Sequence, residues 1–318
     1  MPYLPRMARI PGQSATVEDV SRSPLPVRDG LNPSRIRQPD AGTWETTLDY
    51  LLERFPQDAV RLREKVAARE VVDEKGIGID ENTAFAPRRF IYLYRDPPVE
   101  TRVPFEIDIL HRDDNILVVD KPHFLASTPR GRYIAESALV RLRRDLDLPE
   151  LSPAHRLDRV TAGLLLFTVH QQARRGYQTM FADRLVSKEY EAIARYDADV
   201  VTPAVVRSRI VKERGVLKAR EIDGDANSES RIELIETHGE FARYRLIPHT
   251  GKTHQLRLHM ASVGLPIHGD NFYPDFYDVA AEDYSNPLRL LSRVLEFDDP
   301  VSGETRRFES CMRLAWPT

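Results

Sequence analysis

The apolar residues of this chain form short runs and periodic stretches separated by polar segments, and one run stands out near the middle. Residues 164–169, Leu-Leu-Leu-Phe-Thr-Val, are almost uniformly apolar and include aromatic and β-branched side chains. This pattern predicts a strand buried on both faces of a sheet. The charged stretch before it, residues 155–159, is therefore predicted to be a loop at the edge of a rigid sheet, where catalytic residues are commonly found.

Periodicity elsewhere predicts several further helices and strands. Apolar residues at helical spacing predict helices in 43–55 and 253–263, each behind a threonine cap. The same spacing predicts further helices from residue 58, in 134–146 and in 171–184. Stretches rich in β-branched and aromatic residues, bounded by turn residues, predict strands at 77–79, 90–94, 105–110, 116–119, 187–194, 231–236, 241–248, 288–297 and 306–310.

Composition along the chain predicts three regions. Residues 1–42 are rich in Pro, Arg and Ser without periodicity, which is typical of a flexible arm. Residues 43–98 are predicted to form a small module of helices and a hairpin, ended by the linker Asp96-Pro97-Pro98. The main domain is predicted over 102–318, with a polar, irregular insertion at 198–229.

Charge and cysteine content narrow the possible environments. The net charge is -3, which excludes a uniformly basic nucleic-acid binder, yet residues 121–190 carry 12 Lys and Arg against 7 Asp and Glu. A phosphate-contacting face could therefore be local. Cys311 is the only cysteine, which excludes an internal disulfide and a multi-cysteine zinc site. With no apolar run near the roughly 18 residues of a membrane span and no signal-peptide core, we expect a cytoplasmic protein.

The charged loop and the strand after it resemble a known motif. His155-Arg156-Leu157-Asp158, then Thr161-Ala162-Gly163 and Leu164-Leu165-Leu166, is similar to the central motif of the RluA family of RNA pseudouridine synthases. Three other segments agree in order with that family: Lys121-Pro122, Lys188-Glu189-Tyr190-Glu191-Ala192, and the block from Gly251-Lys252-Thr253-His254-Gln255-Leu256-Arg257 to Gly269-Asp270. Lys252 stands where the family more often has Arg.

The resemblance implies both a fold and an activity. It implies an α+β fold with a mixed, largely antiparallel central sheet, flanking helices and a central catalytic cleft. It also implies isomerisation of uridine in RNA to pseudouridine, with Asp158 as the catalytic carboxylate and Arg257 as its cationic partner. We expect the Arg257 guanidinium to contact Asp158 and to hold it by two hydrogen bonds. Tyr190 would lie against the uracil, where it could also assist removal of the proton from C5, and Leu290 would line the pocket, although Leu291 aligns almost as well.

Contacts with RNA follow from the same resemblance. Arg156 would fill the space left by the extruded uridine, and the candidates for phosphate contact are Lys121, Lys188 and Lys252. The expected partner is structured RNA, either ribosomal or transfer RNA, bound by a monomer away from any membrane. The reaction needs neither a nucleotide nor another cofactor. Residues 43–98 weakly resemble the alpha-L RNA-binding module, and an ordinary helical cap on the main domain is an equal alternative.

Two other functions compete with this interpretation. A metal-dependent hydrolase is suggested by His249, His254, His259, His268 and Asp270, which crowd one segment. Histidines five residues apart do not share a helix face, however, and the zinc-protease pair at i, i+4 is missing. The second alternative is an RNA-binding or ribosome-assembly protein that has kept the fold without catalysis.

Overall fold

A computed structural model describes residues 23–97, 99–280 and 282–317. The described chain divides into two compact units, one formed by residues 23–28 and 32–96 and the other by residues 29–31 and 97–317. The expected N-terminal arm lies largely outside the described residues. None of the helices within the described ranges is long and apolar enough to cross a membrane.

The smaller unit packs two short helices against a three-stranded sheet. Its elements are β1 (Ser34–Arg37), α1 (Thr47–Arg54), a 3-10 turn (Pro56–Asp58), α2 (Ala59–Ala67), β2 (Val72–Asp73) and β3 (Phe90–Leu93), with antiparallel strand order β1-β3-β2. The threonine cap of α1 is Thr46, whose hydroxyl accepts from the backbone of Asp49 while the Asp49 carboxylate accepts from the backbone of Thr46. The sequence-based boundary at residue 43 is therefore too late, because β1 already belongs to this sheet.

The larger unit is built on one 11-stranded sheet. Its elements are β4 (Asp108–Arg112), β5 (Ile116–Lys121), α3 (Ala138–Asp145), β6 (Ser152–Pro153), β7 (Ala162–Thr168), α4 (Gln171–Ala182), β8 (Ser187–Arg195), β9 (Ala204–Val211), β10 (Arg220–Ile222), β11 (Ser228–His238), β12 (Phe241–Pro248), α5 (Gln255–Ser262), β13 (Leu290–Asp298) and β14 (Thr305–Glu309). The strand order is β10-β9-β11-β12-β8-β13-β7-β5-β4, with β14 paired to β13 and β6 paired to β7.

Almost every strand pair is antiparallel, and β7 with β13 is the parallel exception. The prediction of an α+β fold with a mixed, largely antiparallel sheet is confirmed. Gly163 is required where β7 meets β13, because its φ is +102° and a Cβ there would lie 2.3 Å from the carbonyl oxygen of Ser292. The glycine of the central motif therefore allows two strands to approach closely beside the Asp158 loop.

The sheet buries both of its faces along β5 and β7. On one face, Leu165 and Phe167 pack with the α3 residues Leu139 and Leu142. On the other face, strand residues pack with one side of α4 in a cluster formed by Ile116, Val118, Leu164, Leu166, Ala173, Tyr177 and Met180. The prediction of a two-sided buried strand is confirmed, since every residue of β7 is buried.

Residues 198–229 differ from the expected irregular insertion. They contain β9, β10 and the start of β11, which extend the sheet to its far edge. The residues of β9 are mostly part-exposed, with Arg207 and Arg209 interleaved between apolar positions. Because β9 lies next to the edge strand β10 and is mostly part-exposed, it needs fewer apolar residues than a central strand, and the two arginines obscure its strand pattern.

Candidate active site

Asp158 lies in the loop between β6 and β7, and buried polar groups fix the backbone on both sides of it. The buried hydroxyl of Ser127 donates to the carbonyl of Leu157 at 2.8 Å and accepts from its N–H at 3.0 Å. His155 stacks on Phe181 with ring centroids 4.4 Å apart, and its Nε2 accepts the backbone N–H of Leu166 at 3.2 Å. Burial lowers the pKa of His155 to about 3, so this ring is neutral and acts as a structural acceptor.

The loop after Asp158 is held by two side chains, one from the last residue of β5 and one from the segment that follows it. Lys121 Nζ donates to the carbonyls of Pro122 at 2.9 Å, Leu125 at 2.8 Å and Arg159 at 3.4 Å. His123 Nδ1 lies 2.8 Å from the carbonyl of Val160. A carbonyl can only accept, so Nδ1 carries the proton, and burial lowers the pKa of His123 to about 4 and keeps the ring neutral.

The carboxylate of Asp158 is left accessible by this framework. About 32% of its side chain is exposed. Within the ranges that the structure describes, no donor lies at hydrogen-bond distance from its side-chain oxygens. Its nearest charged or titratable neighbours are Arg257, with Nη1 at 3.7 Å from Oδ2, and His254, with Nε2 at 3.8 Å from the same oxygen. Asp158 therefore has a cation beside it and oxygens free to meet a substrate.

Arg257 contacts Asp158, as predicted, but it does not hold that carboxylate by two hydrogen bonds. The guanidinium instead forms two bonds with Asp270, Nε to Oδ2 at 2.7 Å and Nη2 to Oδ1 at 2.6 Å. Asp270 Oδ1 also accepts the backbone N–H groups of Phe272 at 2.8 Å and Tyr273 at 3.1 Å, which fixes the carboxylate. The bidentate partner in the prediction was wrong because Asp270 lies on a turn that directs it at Arg257.

Tyr190 and Leu290 lie on adjacent strands of the sheet. Tyr190 pairs with Ser292 of β13, and Leu290 pairs with Ala192 of β8. Both side chains belong to or pack against the apolar cluster that includes Leu256 and Met260 of α5. Burial, reinforced by the negative charge of Asp158, raises the pKa of Tyr190 to about 12. The structure therefore brings Tyr190 close to Asp158 and places Leu290 in the apolar cluster that it shares with α5.

The four candidate RNA-contacting residues differ in how far their side chains are exposed to solvent. Arg156 and Lys252 are exposed. Lys188 is half-buried, and burial and the nearby charge of Arg184 lower its pKa. Lys121 is completely buried, and burial lowers its pKa to about 7 although Asp158 opposes this shift. The prediction that Lys121 contacts phosphate is wrong, because its ammonium group is enclosed by three backbone carbonyls.

Comparison with known proteins assigns the family. Residues 115–262 match the model of the RNA pseudouridylate synthase family. The dual-specificity RNA pseudouridine synthase RluA of Haemophilus influenzae is 31% identical over 230 residues, 68% of this chain and 95% of the relative. The tRNA pseudouridine synthase C of Haemophilus ducreyi is 32% identical over 226 residues, 66% of this chain and 93% of the relative. The chain belongs to the RNA pseudouridine synthase family.

Members of this family are isomerases that convert uridine in RNA to pseudouridine, and the fold agrees with the assignment. The solved structure of human RNA pseudouridylate synthase domain containing 4 covers 65% of this chain and 88% of its own, with a TM-score of 0.50 and 24% identity. At this identity the likeness concerns the fold. The RNA pseudouridine synthase interpretation of the central motif is thus confirmed at the level of the family.

The histidines that suggested a metal site have other surroundings. His259 is fully buried, with Nε2 at 3.0 Å from Ser208 Oγ and 3.2 Å from Ser228 Oγ. The ring of His268 makes a T-shaped contact with Phe241. In the described parts of this pseudouridine synthase, no group of three His, Cys, Asp or Glu side chains could hold a metal ion.

Sequence reasoning missed several residues that build the site of this synthase. Ser127 and His123 gave no signal, since single polar residues near a strand end are common. Asp270 was visible as part of the family's Gly-Asp tail, and its position 13 residues after Arg257 offered no geometric clue. Gly269 supplies the turn, with a φ of +77° and 2.5 Å between a hypothetical Cβ and the carbonyl oxygen of Pro287. His254 was part of the block that resembles the family, but the only individual role considered for it was that of a metal ligand.

Proposed function

We propose that this chain isomerises specific uridines in ribosomal or transfer RNA, with Asp158 as the catalytic carboxylate. The observation that carries the proposal is the state of the Asp158 side chain. It is partly exposed, it has Arg257 at 3.7 Å, and its backbone is fixed on both sides. A carboxylate that must react with a sugar needs both a nearby positive charge and free oxygens.

The reaction breaks the bond between the anomeric carbon and N1 of uracil, turns the detached base, and joins the same sugar to C5. C5 then loses its proton and N1 gains one, so the composition of the nucleoside is unchanged. Asp158 either attacks the sugar or removes a proton beside the anomeric carbon while the base leaves. Both steps need the ionised form of Asp158. The guanidinium of Arg257 favours that form without occupying the carboxylate, because its two strongest hydrogen bonds go to Asp270.

Tyr190 has the role of a neutral phenol in this proposal. A pKa of about 12 means that the phenol keeps its proton at neutral pH. In this form Tyr190 can donate a hydrogen bond to the uracil that it is proposed to contact, and a phenolate able to remove the proton from C5 is not its resting state. Leu290 lines the pocket through the cluster that it shares with α5.

The target uridine must leave its stack before Asp158 can reach it, which costs a few kcal/mol. The exposed Arg156, two residues before Asp158, would fill the vacated space, where stacking of a base on a planar side chain contributes roughly 1 to 3 kcal/mol. Lys252 is the stronger phosphate-contact candidate, since Lys188 is half-buried. Contacts of this kind weaken as salt rises.

The proposal extends to assembly and location. A monomer in the cytoplasm suits an enzyme whose single cysteine, Cys311, is free and exposed. In this proposal catalysis belongs to 102–318, and 43–98 is a degenerate alpha-L module or a cap. Light scattering with size-exclusion chromatography tests the monomer, and RNA binding by a chain lacking 43–98 tests the module.

Pseudouridine mapping tests the function. The expected result is that cells lacking this protein lose pseudouridine at one or a few positions, and that wild type restores them. Asp158→Asn should reduce the rate of isomerisation by at least about 1,000-fold and leave RNA binding nearly intact. If cells with and without the protein had the same pseudouridines, the non-catalytic RNA-binding alternative would replace this proposal. Isomerisation that survives in Asp158→Asn would reject Asp158 as the catalytic residue.

A further inference from the structure

His254 is placed beside Asp158 by an unusual backbone conformation. It precedes α5 with a φ of +57°, in the left-handed region that residues other than glycine adopt uncommonly, although Asn, Asp and His do so more often than the rest. Its ring contacts the edges of Phe272 and Tyr273, with centroids 5.5 Å and 5.7 Å away. Only 10% of the side chain is exposed. Strained residues are concentrated at functional sites, so the protonation of the two ring nitrogens of His254 bears on how the site binds its substrate.

The hydrogen bonds of Tyr273 determine which nitrogen of His254 carries the proton. The Tyr273 hydroxyl donates to the carbonyl of Ala219 at 2.7 Å, and it lies 3.0 Å from His254 Nδ1. A phenol has one proton, and a carbonyl can only accept, so that proton belongs to the bond with Ala219. Burial raises the pKa of Tyr273 to about 12, so the phenol is not ionised. His254 Nδ1 must therefore be the donor to Tyr273.

This assignment leaves Nε2 of a neutral His254 without a proton. Burial lowers the pKa of His254, and although Asp158 and Asp270 oppose the shift, Arg257 and Lys212 add to it. The ring is thus neutral at neutral pH, and the Nε2 lone pair lies 3.8 Å from Asp158 Oδ2. Two acceptors facing each other at this distance leave a position that a hydrogen-bond donor from the substrate can fill.

We propose that His254 Nε2 accepts a hydrogen bond from the 2′-hydroxyl of the target uridine. The inference rests on the proposed function, in which Asp158 comes within about 3 to 3.5 Å of the reacting sugar atoms. Within an RNA chain the 3′ and 5′ oxygens are esterified, so the 2′-hydroxyl is the only free hydroxyl of that sugar. It is attached to the carbon next to the anomeric centre, and an acceptor 3.8 Å from Asp158 Oδ2 lies within its reach. The N3–H group, the other donor of the nucleoside, is on the far edge of the base.

Such a bond would position the sugar and select RNA. Asp158 has to meet one face of the ribose. A second contact, from His254 to the 2′-hydroxyl, would prevent the ribose from rotating about its contact with Asp158. The 2′-hydroxyl is also the group that distinguishes RNA from DNA. The role assigned to His254 is therefore substrate binding by an unprotonated nitrogen.

Equilibrium binding to a synthetic RNA that contains a mapped target uridine tests the inference. Asp158→Ala is used as the background so that the RNA is not turned over. This variant should bind the uridine RNA about 2- to 10-fold more tightly than the same RNA with 2′-deoxyuridine at the target. The double variant Asp158→Ala with His254→Asn should bind the two RNAs equally. Asn tolerates the left-handed backbone and keeps an amide near Tyr273, yet it has no acceptor at the position of Nε2.

The conservative variant His254→Gln provides the control, because its terminal amide oxygen can reach the position of Nε2 and should retain most of the preference for ribose. With Asp158 intact, His254→Asn should slow single-turnover isomerisation by a similar or larger factor. Full discrimination against 2′-deoxyuridine in the His254→Asn double variant would overturn the inference. A loss of discrimination against N3-methyluridine instead would assign the bond to N3–H and also overturn it. Absence of any pseudouridine formation by wild type would reject the proposed function itself.

Discussion

The two charged groups of the site, Asp158 and Arg257, are positioned in opposite ways. Asp158 is positioned through its backbone, since Ser127 and Lys121 bind the carbonyls on either side of it and leave its carboxylate accessible. Arg257 is positioned through its side chain, which is 3% exposed and bound at two nitrogens by Asp270. The carboxylate proposed to react is thus fixed with its oxygens free, while the guanidinium beside it is fixed by two hydrogen bonds of its own.

This difference separates rigidity from reactivity. In the proposed reaction, a hydrogen bond to the Asp158 carboxylate would lower its reactivity and would have to break during each turnover. Backbone anchors impose no such cost, because the carbonyls of Leu157 and Arg159 have no role in that reaction. A bidentate ion pair suits Arg257, because its charge acts at 3.7 Å without moving. Breaking each kind of anchor should therefore have a different signature.

The largest expected effect comes from breaking the side-chain anchor with Asp270→Asn. The substitution keeps the shape of the side chain but leaves the buried Arg257 charge without its carboxylate. Removing one partner of a buried ion pair typically costs about 3 to 5 kcal/mol. We expect the free energy of unfolding, measured in urea, to fall by that amount, with a large loss of isomerisation rate because the guanidinium is no longer fixed. The exposed pair of Arg307 with Glu296, 3.4 Å apart, supplies the control, and Glu296→Gln should cost under about 1 kcal/mol.

Equal effects of Asp270→Asn and Glu296→Gln would mean that the buried pair of Arg257 with Asp270 contributes no more than an exposed ion pair, which would contradict its role as the anchor of Arg257. A stable Asp270→Asn protein with wild-type activity would mean that Asp158 alone can position Arg257. Retained stability with lost activity would place the role of Asp270 in orientation rather than in folding.

Breaking the backbone anchor with Lys121→Met should change the pH dependence of stability. The pKa of folded Lys121 is about 7, against 10.5 for the unperturbed group. Between these values the unfolded chain holds one more proton than the folded chain, so the stability of wild type relative to Lys121→Met should rise with pH. The slope should be at most about 1.4 kcal/mol per pH unit, and it should vanish below about pH 7. Urea unfolding of both proteins across this window measures it, and parallel pH curves would contradict a depressed pKa.

The sequence predicted those features that depend on local pattern. The strands β5 and β7 follow from continuous apolar runs, and the family motifs led to Asp158 and Arg257. The strand β9, which lies next to the sheet edge, was missed because Arg207 and Arg209 interrupt its apolar pattern. The pairing of Arg257 with Asp270 and the burial of Lys121 were missed for another reason. A guanidinium chooses among carboxylates by three-dimensional geometry, and a lysine at the end of a strand is exposed in most proteins.

The smallest expected effect belongs to Lys252, which touches neither anchor. It is exposed, and its backbone N–H donates to Gln255 Oε1 at 3.0 Å, so truncating its side chain leaves the start of α5 intact. If its ammonium group contacts one phosphate, Lys252→Ala should weaken RNA binding and lower the slope of log affinity against log salt by about one. Arg307→Ala on β14 removes the same charge at the other end of β13 from Leu290, and it should leave the slope unchanged. Equal changes in the two variants would mean that RNA responds to net charge alone, because a local contact is lost only when the residue that makes it is removed.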